Sequence, residues 1–188
     1  MACANHHLAR TEELMSDEGG AICIQLEDEE MFLDAETCAR CSAVELVLLG
    51  DAAKLRGTFG DEAGVCPRCG APAVGLGFAV GSQGGTEIHV PLDGRWTFGL
   101  VSSACANGHV TVAGVGGEPK EGAPRNAALL ARHPTVGICE RCGGDVHAAE
   151  VESHHAGVVR VDGLALLAHI CARCERVRLF VRRDPDQD

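Results

Sequence analysis

The sequence predicts a mainly β chain of small, metal-stabilised modules in tandem, joined by short helical or loop connectors. Three observations carry this expectation: cysteine pairs that recur along the chain, apolar segments between them, and too little bulky material for an ordinary core. Of the 188 residues 46% are hydrophobic, yet only 3% are aromatic and 24 are glycine. Such a chain offsets its conformational entropy poorly by apolar burial alone. The 11 cysteines are the obvious compensation.

Two chemistries can use them. Disulfides suit oxidising compartments, but the segment around Cys3, His6 and His7 lacks the apolar stretch of a secretory signal. No uninterrupted apolar run approaches the ~20 residues that span a bilayer. Eight cysteines sit in C-x-x-C pairs, and two more are each followed four residues later by His. That spacing suits a shared metal ion better than a disulfide within the pair. Metal ligation in a reducing cytoplasm is therefore expected, with no membrane association.

The pairs sort into two kinds. Gly64-Val65-Cys66-Pro67-Arg68-Cys69-Gly70 and Gly137-Ile138-Cys139-Glu140-Arg141-Cys142-Gly143 both read G-[V/I]-C-x-R-C-G. Cys38-Ala39-Arg40-Cys41 and Cys171-Ala172-Arg173-Cys174 instead lead into apolar stretches, as does Cys105-Ala106-Asn107-Gly108-His109. Joining starts to ends groups Cys66/Cys69 with Cys105/His109, and Cys139/Cys142 with Cys171/Cys174. Cys38/Cys41 then needs an upstream partner, and Cys3 with His7 supplies it, His7 being preferred over His6. Exchange between neighbours, such as Cys38/Cys41 with Cys66/Cys69, stays open. Only Cys23 is left over, and it reads as a small packed hydrophobe.

Glycine after the second cysteine permits the left-handed backbone of a metal-binding turn. Two such knuckles on a hairpin close a tetrahedral site. Here the chain resembles the zinc-ribbon superfamily, and Cys66-Pro67-Arg68-Cys69-Gly70 is similar to the knuckle of rubredoxins. The resemblance implies three structural zinc ions and three ribbons: residues 1–60, acidic; residues 61–133, with a connector helix; and residues 134–188, with a disordered tail. The first departs from the pattern by opening on C-x-x-x-H.

The elements run in order along the chain. Residues 21–26 and 29–34 read as strands of the first module and residues 44–49 as its last. A short helix over residues 50–57 connects it to the second, where strands at 73–80 and 87–90 flank a flexible turn at 81–85. Residues 110–113 close that module, and 114–123 form a linker. Residues 124–133 read as a helix, with Pro124 at the start and a basic end before Pro134. The third module has strands at 146–151, 157–161, 164–170 and 177–181.

Net charge is −11, and residues 1–65 hold most of it, with fourteen acidic side chains against four basic ones. That balance disfavours broad phosphate binding. No nucleophile–base constellation or phosphate loop is present, and Gly114-Val115-Gly116-Gly117 fits no glycine fingerprint. The chain is therefore expected to be no enzyme but a scaffold or adaptor binding another protein. The alternative is nucleic-acid binding through Arg176, Arg178, Phe180 and Arg182, which alternate with Val177, Leu179 and Val181. Thiol redox chemistry ranks last. The histidines at 89, 133, 147, 154, 155 and 169 read as packed or solvated.

Overall fold

Apolar–polar alternation turns most of the described residues into strands. The computed structural model describes residues 8–18, 20–26, 29–55, 62–77, 80–82, 86–93, 96–114, 123–153 and 157–182. The first stretch gives β1 (Leu8–Ser16), β2 (Ile22–Gln25), β3 (Glu30–Cys38) and β4 (Ala43–Leu48). The second gives β5 (Glu62–Val65), β6 (Pro72–Gly77), β7 (Val80–Ser82), β8 (Thr86–Asp93), β9 (Trp96–Cys105) and β10 (His109–Gly114). The third gives β11 (Thr135–Ile138), β12 (Asp145–Glu150), β13 (Glu152–Ser153), β14 (Gly157–Val161), β15 (Leu164–Cys171) and β16 (Val177–Val181). In β4, Val44, Leu46 and Leu48 are buried while Ala43, Glu45 and Val47 are not, the period of two of a strand with one covered face.

Within each stretch the same antiparallel ladders recur. A first strand pairs with the strand that ends in a cysteine: β1 with β3, β6 with β9, β12 with β15. That strand then pairs with the one after the knuckle: β3 with β4, β9 with β10, β15 with β16. Between stretches the pairing runs in a circle. Residues 14–16 of β1 pair with β14, β13 pairs with β8, and β7 pairs with β2. At the centre the free edge of β4 is shared: Ala43 and Val44 face β16, while Leu46 and Val47 face β10.

Strand pairing thus crosses both expected module boundaries, and the core crosses them with it. One apolar cluster joins Leu14, Ile22, Leu33 and Leu46 to Val90, Phe98 and Leu100 and to Val151, Val159, Leu166 and Ile170. Short, aromatic-poor strands gain most by covering one another's apolar faces, because burial is worth about 25 cal/mol per Å² wherever it is found.

The connectors differ from expectation in extent. Residues 53–55 make a single helical turn, with the Ala53 N–H donating 2.9 Å to Asp51 Oδ1; beyond 55 the expected helix lies outside the described residues. The helix expected at 124–133 is Ala123–Leu130, and residues 131–133 continue as turns. The sequence does not mark β1 as a strand, because its residues alternate only partly and its partner on β14 is distant along the chain. Residues 115–122, the centre of the 81–85 turn, and the tail from 183 lie outside the described residues. No helix among the described residues is long and apolar enough to cross a membrane.

Candidate metal centres

Each C-x-x-C turn is built the same way. The residue after the second cysteine is left-handed: Ser42 (φ 60°), Gly70 (72°), Gly143 (70°) and Glu175 (54°). Its N–H donates to the carbonyl of the first cysteine at 2.9, 2.8, 2.8 and 2.9 Å respectively. This conformation turns the chain back on itself and brings the two cysteines of each pair to one side. Glycine holds it in two turns; Ser42 and Glu175 hold it despite their Cβ atoms, which disfavour this region by about 1–2 kcal/mol. In Cys105-Ala106-Asn107-Gly108-His109 the left-handed residue is Gly108 (φ 79°).

Two groups of four donors result. In the first, Cys66, Cys69, Cys105 and His109 bring one ligand atom each to within 4.8 Å of all the others. The Sγ atoms of Cys69 and Cys105 stand 3.7 Å apart, and His109 Nδ1 is 3.7 Å from both Cys66 Sγ and Cys105 Sγ. In the second, Cys139, Cys142, Cys171 and Cys174 converge likewise, with Cys139–Cys174 at 3.7 Å and Cys142–Cys171 at 3.4 Å between sulfurs. A disulfide needs about 2.05 Å. A tetrahedral ion with metal–sulfur bonds of about 2.3 Å has sulfur–sulfur edges near 3.8 Å. The separations fit a metal, and both groups could hold one ion.

The ladders explain the convergence. β6 places Ala73 opposite Cys105, and β12 places Val146 opposite Cys171, so each start knuckle folds over the end of its partner strand. Cys66 and Cys105 are buried and Cys69 is exposed; in the second group Cys139 and Cys171 are buried. The groups hold their protons differently. Cys69 is lowered from 9.0 to about 6, first by the Ala71 N–H and then by the Asn107 amide, which donates to its Sγ at 3.3 Å. Cys66 is raised by burial. Burial also raises Cys171, and Cys174 to about 12. For Cys139 burial pushes up, but N–H groups of Arg141 and Cys142 outweigh it and bring the thiol to about 6. Cys69 and Cys139 are therefore the ready thiolates at neutral pH.

The structure places Cys38 and Cys41 in a knuckle of the same kind at the end of β3, with Leu8 opposite Cys38. Their expected partners Cys3 and His7, and the alternative His6, lie outside the described residues. Exchange of Cys38/Cys41 with Cys66/Cys69 does not occur, since Cys66 and Cys69 face Cys105 and His109.

Of the Arg-rich strand, Arg178 pairs with Glu140 at 3.7 Å and Arg182 with Glu150 at 2.8 Å. Phe180 stacks on His169 with centroids 3.9 Å apart. Burial lowers His169 to about 4 and raises Cys23 to about 11, where Glu30 adds to it; both therefore stay neutral at pH 7. His147 is buried and sits 3.1 Å from the His133 carbonyl.

Sequence reasoning missed three supports of the sites. Asn107 binds Cys69; the Asn in Cys3-Ala4-Asn5, matching Cys105-Ala106-Asn107, was a signal for it. Arg68, inside its knuckle, pairs with Glu36 at 2.7 Å and Glu45 at 3.2 Å. Gly144 leaves room for the facing knuckle, and nothing local in the sequence marks that. Compared with known proteins, the chain matches no family, no curated protein and no solved structure.

Proposed function

We propose that this chain is a zinc-stabilised, non-enzymatic scaffold that binds other proteins in a reducing cytoplasm. One observation carries the reading: each donor group already brings four ligand atoms within 4.8 Å of one another, a full tetrahedral set of the kind structural zinc uses. Zinc is favoured over iron because one group includes His109 and tetrahedral sulfur–nitrogen sets suit zinc. On this reading the chain is three copies of a zinc-ribbon unit in cyclic order, which the recurring ladders support. The Cys38/Cys41 knuckle, sharing the backbone of the other three, takes a third zinc with Cys3 and His7.

Native mass spectrometry with elemental analysis of protein purified without added metal tests this. Three zinc ions per chain are expected. Two would remove the Cys3/His7 site, and iron or intact disulfides would overturn both metal and compartment. The scaffold role itself is tested by cross-linking in the native extract, where failure to acquire any protein partner would sink it.

One observation favours the redox reading: Cys69 is exposed and its thiol sits near 6, the features a reactive thiol needs. Insulin reduction by the metal-loaded protein would establish that reading. Its absence there, with activity only after chelation, leaves Cys69 as a ligand. Nucleic-acid binding through the Arg-rich strand has less support, since Arg178 and Arg182 already face carboxylates.

A further inference from the structure

The scaffold reading leaves open which surface takes the partner, and the inference here rests on that reading. β11 is an edge: among the described residues it pairs with β12 alone. All four of its residues are exposed, Val136 by 47% and Ile138 by 63%. Apolar side chains left in water give an energetic reason for covering this strand.

Inward of β11, over the sheet face that runs through β12 and β15 to β16, lies a groove of about 460 Å³. Val136 and Ile138 line it together with the stacked His169–Phe180 pair, Arg176 and Arg178. Among the described residues no carboxylate pairs with Arg176. Among the described residues the carboxylate that Arg178 meets is Glu140, at a long 3.7 Å and on a side chain that is 68% exposed. On a chain of net charge −11, two loosely held guanidiniums next to an apolar edge strand select an occupant. A polyphosphate gains nothing from Val136 and Ile138. An extended peptide alternates its side chains between two faces, so one face can carry apolar groups and carboxylates into the groove together.

We propose that this groove binds an extended acidic peptide of a partner protein, laid across the sheet face from β11 towards β16. Its apolar side chains rest on Val136, Ile138 and Phe180, and its carboxylates take Arg176 and Arg178 in place of Glu140.

The test is selection from a display library of random linear peptides against the full, zinc-loaded chain at low salt. Enriched peptides alternate apolar residues with Asp or Glu. A synthetic copy of the best one loses about tenfold or more in affinity with Arg176→Glu or Val136→Asp, and gains with Glu140→Gln. Arg182→Ala leaves it unchanged, and each variant keeps its zinc. Enrichment of basic peptides, no enrichment, or binding indifferent to Arg176→Glu and Val136→Asp overturns the proposal. The scaffold reading fails separately: a partner that cross-links equally to parent and Arg176→Glu protein spares that reading and removes this surface.

Discussion

Gly144 lies where the two halves of the four-cysteine group pack tightly, and replacing it by alanine tests whether those halves are drawn together by a metal. A Cβ there would lie 2.6 Å from Arg173 Cβ and 3.2 Å from Cys171 Sγ. Carbon atoms in contact sit about 3.5–4.0 Å apart, so one side must move by about 1 Å. Neither side yields easily. The Gly144 carbonyl accepts from the Cys139 N–H at 2.8 Å, and the Ala172 N–H donates to the Asp145 carbonyl at 2.9 Å. Overpacking of this kind costs about 1–3 kcal/mol. In the metal-free protein the facing knuckle can recoil and shed part of the strain, whereas a bound ion holds both knuckles in place. The cost therefore falls on metal binding, and at 1.4 kcal/mol per decade it weakens affinity by about 5- to 150-fold. Competition with a chromogenic chelator measures this, with the Cys66 group in the same molecule as an internal reference. Gly137→Ala is the control: an added Cβ there meets nothing within 4 Å and no left-handed φ is involved. Should Gly144→Ala retain its metal as tightly as the parent, or Gly137→Ala weaken it as much, the reasoning is refuted.

The same geometry sets further outcomes. Arg68→Ala leaves Glu36 and Glu45 directly opposite one another on β3 and β4, and is expected to cost about 1 kcal/mol in urea unfolding, less at high salt. An added Glu45→Gln should recover most of that loss; no recovery would mean Arg68 acts by packing. In metal-free protein Cys69 is alkylated by iodoacetamide before Cys66, with a half-maximal rate near pH 6, because its thiol is lowered from 9.0 to about 6. The sign comes from the lowering: the Cys69 contribution to folding is complete above pH 9 and is lost as pH falls towards 6. A fragment of residues 61–133 with zinc should show no cooperative thermal transition by circular dichroism, since β7, β8 and β10 take partners from outside it. A sharp transition would make that module independent.

The two donor groups were legible because ligand chemistry is local. Cys66-Pro67-Arg68-Cys69-Gly70 carries its turn and its ligands within five residues, and the sorting into starts and ends needed only the few residues C-terminal to each pair. Strand character in β3, β4 and β16 was legible through period-two alternation. The circular pairing was not. Residues 14–16 meet β14 across some 140 positions, and nothing in Leu14, Met15 or Ser16 names Val161, Arg160 or Val159 as neighbours. Likewise nothing around Glu36 or Glu45 in the sequence marks them as partners of Arg68; only the register of β3 on β4 brings them together. The Arg-rich end of β16 looked like a cationic stripe, because its partners Glu140 and Glu150 belong to other elements.

On the proposed reading, bound metal and interleaved strands would solve one problem together. An aromatic-poor unit cannot close its own core, so each stretch lends a hairpin edge to a neighbour, but borrowed pairings alone leave the strand ends to fray. The two clusters lie at those ends, where β9 turns into β10 and β15 into β16. They are also tied sideways. Arg68 carries the first knuckle onto β3 and β4, and the Asn126 amide reaches Glu175, the left-handed residue of the last knuckle, at 3.2 Å. Losing one ion should therefore loosen strands of another stretch as well as its own ribbon. Hydrogen exchange resolved by residue reads this directly: converting His109 to Ala should raise exchange at Val44 and Leu46 on β4 together with Val110 on β10. Exchange confined to residues 62–114 would show that the tie through Arg68 and the shared edge of β4 transmits nothing between stretches.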